Sequence, residues 1–88
     1  MKYTINMIDD YQNRLTENQK QRVIKHCNIE NITPCICAWY DDKEDFYSDW
    51  CEEIGYSQED ADELLNCNRD NRGEFLIFED NQIIRFSI

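Results

Sequence analysis

Histidine, proline and glycine are nearly missing from this chain: one histidine, one proline and two glycines stand among 88 residues. So little glycine and proline leaves no room for a flexible linker or a low-complexity tract, and each of the three (Pro34, Gly55, Gly73) marks a boundary. The glycine-rich phosphate loops and dinucleotide fingerprints are absent, as are G-x-S-x-G and the C-x2-C zinc knuckle. The single histidine, His26, adjoins Cys27. Neighbours in a helix point about 100° apart, so the two do not form a nucleophile–base pair. Catalysis therefore has little support, and a non-enzymatic protein is expected. No apolar run approaches the roughly 20 residues of a membrane span. The first six residues lack the apolar core of a signal peptide. The expected compartment is the cytosol, where thiols stay reduced.

Basic charge is scarce in one place only. Between Asp41 and Glu63 lie eleven carboxylates and one lysine; the remaining residues carry eight acidic and eight basic side chains. The whole formal charge of −10 therefore belongs to one block. Such a charge opposes nucleic acid and anionic membrane surfaces and favours a basic protein partner. Hydrophobic residues at 41%, with eleven aromatics, still argue for a folded chain. A monomer made of one domain, residues 1–88, is expected, with a thin core.

Local signals suggest an α+β fold: helices packed on one side of a small, mostly antiparallel sheet with a C-terminal β-hairpin. Residues 1–15 fit either a strand or a helix, and helix is preferred. Thr16 and Gln19 form a capping box for a helix from Glu17 to about His26, with Val23, Ile24 and Cys27 on one face. Asn28 to Thr33 is read as a connection. Cys35 to Tyr40 reads as a strand with Cys35, Cys37 and Trp39 on one face and Ile36, Ala38 and Tyr40 on the other. Asp41 or Asp42 caps a helix to Ile54, burying Tyr47, Trp50, Cys51 and Ile54 beside Phe46, and Gly55 ends it in the left-handed region. Ser57 and Asp60 open another helix to about Asn66 around Ala61, Leu64 and Leu65. A two-residue turn at Asp80-Asn81 would join strands 74–79 and 82–88. That register sets Ile77 against Ile84 and Phe75 against Phe86, with Ile88 on the same apolar face. Leu76, Phe78 and Ile83 occupy a second face that the N-terminal segment or a partner must cover.

Five cysteines pose the question of a zinc site. Cys27, Cys35, Cys37, Cys51 and Cys67 lie on or beside core faces and could converge on one ion, with His26 as a further donor. The bland alternative is ordinary buried thiols. Calcium loops fail: from Asp41, position six is Phe46; from Asn66, position twelve is Ile77.

The candidate partner-binding residues are Asp41, Asp42, Glu44, Asp45, Asp49, Glu52, Glu53, Glu59, Asp60, Asp62 and Glu63. On an α-helix Asp41, Asp45, Asp49 and Glu52 make one stripe. Solvated faces usually mix both signs of charge. A row of carboxylates on a rigid element can instead occupy a site built for phosphates, which points to a basic, nucleic-acid-handling protein.

In its whole profile the chain resembles the anti-CRISPR proteins of phages and other mobile elements. It shares with them its small size, strong acidity and lack of an enzyme signature; no family motif is transferred residue by residue. The resemblance implies inhibition of a CRISPR effector nuclease, above all the type II RNA-guided enzyme, by direct binding in the bacterial cytoplasm. DNA loading or cleavage would be blocked. The alternative expectation is a zinc-stabilised acidic adaptor, or an antitoxin-like protein for another basic target.

Overall fold

The structure is a computed structural model and describes residues 2–10, 12–70 and 72–87. The fold is α+β. In chain order it has a 3-10 turn (Ile5–Met7), α1 (Glu17–Glu30), β1 (Ile36–Tyr40), α2 (Lys43–Tyr47), a π-helical turn (Ser48–Glu53), α3 (Gln58–Cys67), β2 (Gly73–Ile77) and β3 (Ile83–Ser87). The sheet is antiparallel with order β1-β3-β2, so the C-terminal strand is the central one. No helix among the described residues is long and apolar enough to cross a membrane.

Helix starts follow the local sequence. Thr16 and Gln19 form the reciprocal capping box, at 3.2 and 3.0 Å. Asp42 caps α2 by accepting from Asp45 N–H at 3.0 Å, and Ser57 caps α3 by accepting from Asp60 N–H at 3.2 Å. Gly55 adopts φ +98°, the left-handed stop expected of it. Helix α1 runs one turn past His26 and stops at Asn31, which takes the left-handed cap at φ +57°. The connection expected at Asn28 to Thr33 is thus helix over its first half.

The N-terminal segment is not the expected helix. Beyond the 3-10 turn it runs without regular structure, because α1 offers its backbone partners. Asn28 Oδ1 accepts from the N–H of Lys2 and Tyr3, at 3.0 and 2.8 Å, and its amide donates to Tyr3 O at 3.1 Å. Further on, Asp10 accepts from the N–H of Arg14 and Leu15, both at 3.2 Å.

The hairpin register is one residue off the expected one. Ile77 pairs with Ile83, Leu76 with Ile84 and Phe75 with Arg85. Phe78 N–H donates to Gln82 O at 2.9 Å and Asn81 N–H to Phe78 O at 3.0 Å. Asn81 stands at φ +66°. This is a three-residue loop with a left-handed third residue, not a two-residue turn. A one-residue slip moves every side chain of a strand to the other face. Ile83 and Arg85 therefore share a face with Phe75 and Ile77, while Ile84 and Phe86 join Leu76 and Phe78. Ile88, assigned to that apolar face by the sequence, lies outside the described residues. A second irregularity, a bulge at Cys37, breaks the alternation of β1 and puts Ile36 on the face of Trp39.

The helices lie on both faces of the sheet rather than on one. One core layer joins α1 and the N-terminal segment to the sheet through Leu15, Val23, Cys27, Ile32, Phe78, Ile84 and Phe86. The other joins α2, the π-turn and α3 to it through Tyr40, Phe46, Trp50, Ala61, Leu65, Phe75 and Ile83. The second is aromatic at its centre: Phe46, Trp50 and Phe75 lie with ring centroids 5.6–5.8 Å apart, a spacing that adds to area burial.

Candidate functional site

The acidic block runs from the end of β1 through α2, the π-turn and α3. Its middle is not the α-helix the stripe assumed. In the π-turn the backbone bonds reach five residues, as in Ile54 N–H to Asp49 O at 3.0 Å. Each residue then advances less than the α-helical 100°. The phase shifts accordingly. Ile54, expected in the core, is 38% exposed, while Trp50 stays buried at 1%.

The shift also turns Asp49 inward. It is half-buried and accepts from the hydroxyl of buried Tyr40 at 2.5 Å. That hydroxyl accepts in turn from Trp50 Nε1 at 3.0 Å. Burial first, and then the bond to Asp49, holds the Tyr40 phenol far above its ordinary range. Asp62 is likewise half-buried and accepts from the Tyr47 hydroxyl, tying α2 to α3. That bond is the main reason the Tyr47 phenol is pushed up to about 12. These two carboxylates hold the fold together.

The other nine candidates are exposed. Asp41 pairs with Arg14 at 3.1 Å. Asp42 is spent on its cap, Asp45 accepts from Asp41 N–H at 3.3 Å, and Glu52 accepts from Ser48 at 3.4 Å. Glu44, Glu53, Glu59, Asp60 and Glu63 have no side-chain partner among the described residues. The arrangement is a surface of largely uncompensated negative charge: Lys43 is the one base within the block, and Arg14 reaches Asp41 from outside it.

The cysteines do not converge. Cys27 is buried between α1 and the sheet, and Cys51 is half-buried on the opposite face. Cys35, Cys37 and Cys67 are exposed. Cys37 donates to Arg85 O at 3.3 Å, and Arg85 approaches its sulfur at 3.6 Å. Burial, with a smaller contribution from Glu74, pushes the Cys27 thiol up to about 11. Among the described residues no group of three or more His, Cys, Asp or Glu stands ready to hold a metal ion.

A cluster that the sequence reading missed surrounds Glu74, a buried carboxylate 2% exposed. One oxygen meets His26 Nε2 and the other accepts from Arg69 at 2.7 Å. Arg69 also faces Glu30 at 3.8 Å. The cluster opens on a cleft of about 160 Å³ reached by Cys67. It ties α1 to β2 and to the loop after α3. His26, considered above as a further metal donor, is a partner of this carboxylate. The signal was present: Glu74 alternates with Leu76 and Phe78, so it had to face inward, and an inward carboxylate needs donors.

Comparison with family models, curated proteins and solved structures gives no match.

Proposed function

We propose that this chain is a binding protein, not an enzyme, and that its acidic helical face engages a basic surface of a nucleic-acid-handling protein. The resemblance of its profile makes a type II CRISPR effector nuclease the leading target class, with inhibition of DNA loading or cleavage as the outcome. One observation carries the reading: nine exposed carboxylates with a single lysine, on short helices fixed by the Phe46–Trp50–Phe75 aromatic core. Carboxylates on a rigid base lose little freedom on binding, so their field steers encounter and raises the on-rate. A second copy of so acidic a face is repelled, which favours action as a monomer.

The test is a pull-down and DNA-cleavage assay against type II effectors, with basic toxins as the comparison set. Glu44, Glu53 and Glu63 changed together to lysine should abolish capture, while each single change costs little. Association should slow as salt rises, because screening shortens to about 3 Å at 1 M. Inhibition by the triple variant equal to that of the unaltered protein would rule the acidic face out. Capture of a toxin but no effector would keep the surface and discard the target.

A further inference from the structure

The two outer strands of the sheet differ in how their free edges are closed. The edge of β2 is covered: Phe75 N–H donates to Asn68 O at 2.8 Å, Asp70 N–H donates to Gly73 O at 3.0 Å, and Arg69 bridges to Glu74. The edge of β1 has no such cover. Among the described residues no backbone bond from the N-terminal segment reaches Ile36–Tyr40; Asp9 N–H donates to Pro34 O at 3.3 Å, before the strand begins. A groove of about 230 Å³ lies between Asp9, Asp10, Gln12 and Arg14 on one side and Ile36–Trp39 on the other.

This groove is acidic and already holds a guanidinium. Asp9 and Asp10 line it, and Arg14 crosses it with its guanidinium 5.2 Å from the Trp39 ring centroid and 3.1 Å from Asp41. An arginine over an aromatic face with a carboxylate beside it is a recognition geometry for a basic side chain. Here the chain supplies that arginine itself. Trp39 also carries a buried Nε1 donor with no acceptor among the described residues.

We propose that the outer edge of β1 takes up an extended, arginine-bearing segment of the partner by strand addition, one arginine replacing Arg14 against Trp39 and Asp41. Main-chain hydrogen bonds then supply affinity, and the acidic rim selects a basic sequence. The same rim repels a second copy of this chain, which makes the edge selective rather than self-associating. The inference rests on the reading of the chain as an acidic binding protein and adds the element that does the gripping.

The probe is a blocked peptide of about ten residues alternating arginine with threonine, titrated into isotope-labelled protein at low salt. A peptide alternating arginine with proline is the control, since it carries the same charge but cannot pair as a strand. The threonine peptide should slow exchange of the outward amides within Ile36–Tyr40 and bind roughly tenfold more tightly than the control. Arg14→Ala should strengthen its binding, and Asp41→Asn should weaken it. Equal binding of the two peptides would overturn the proposal. So would shifts confined to residues 43–67, or a dimer formed through β1 in the absence of peptide. The lysine reversals at Glu44, Glu53 and Glu63 separate the two readings. They weaken both equally charged peptides at low salt but should leave the ratio of the two affinities within about twofold, while abolishing capture of the partner. Partner binding without protection of β1 removes strand addition alone.

Discussion

Replacing Tyr40 with phenylalanine should be far more damaging than the loss of one hydroxyl at a strand end suggests. The Tyr40 oxygen donates to Asp49 and accepts from Trp50 Nε1. Tyr40→Phe leaves the indole N–H buried without an acceptor, at about 1–3 kcal/mol. It also removes a hydrogen bond to a carboxylate, which contributes about 1.5–3 kcal/mol when dry and less here, where Asp49 is half-exposed. Together the loss is roughly 2–4 kcal/mol, against about 4–13 kcal/mol expected for the whole domain. In thermal melts that is a fall of at least about 8 °C. Asp49→Ala should cost about 1–2 kcal/mol, the broken bond being partly offset by relief of like-charge repulsion. The two changes made together should be less costly than their sum, with a coupling of at least about 0.5 kcal/mol. Urea unfolding followed by tryptophan fluorescence and far-ultraviolet circular dichroism, with an unchanged m-value, reads all three. A Tyr40→Phe protein within about 0.5 kcal/mol of the unaltered one would refute the chain of bonds and with it the inward turn of Asp49.

Thiol titration of the native protein at neutral pH should label Cys35 and Cys67 first, then Cys37 and Cys51. Cys27, buried and with its thiol pushed up to about 11, should react only on unfolding. Tyr47, raised from 10 to about 12, contributes stability that is fully present below pH 10 and is lost as pH climbs through 12. Tyr47→Phe should flatten that part of an alkaline unfolding curve, and an unaltered curve would show that the Asp62 bond is not made. His26→Leu should cost about 1–3 kcal/mol in urea melts, because one oxygen of buried Glu74 loses its donor.

What the sequence made legible was local. The caps at Thr16, Asp42 and Ser57 and the stop at Gly55 are signals a few residues long, and their partners sit within one turn. The apolar spacing of Phe46, Trp50, Ala61 and Leu65 identified most of one core layer. The misses depended on distant or irregular geometry. A π-turn has no fixed residue signature, so the acidic segment reads as an α-helix, a phase that buries Ile54 and exposes Asp49. Asn81 reads as the second residue of a two-residue turn, whereas it is the left-handed third residue of a longer loop. That single difference reassigned both faces of β3. The N-terminal segment follows the Asn28 side chain, a partner 25 residues away that no window of periodicity reaches.

Because β1 and β2 meet only through β3, neither outer strand has anything to pair with until residues 83–87 slot between them. Closing β1 onto β3 spans some 45 residues, so the entropic cost of loop closure comes before most of the reward. Ile83 and Ile84, side by side on that strand, anchor the two opposite core layers. Withdrawing β3 opens both at once, which leaves no half of the molecule able to persist alone. Folding should therefore be a single slow cooperative event, and the inward amides of β1 should exchange only when the entire domain comes apart.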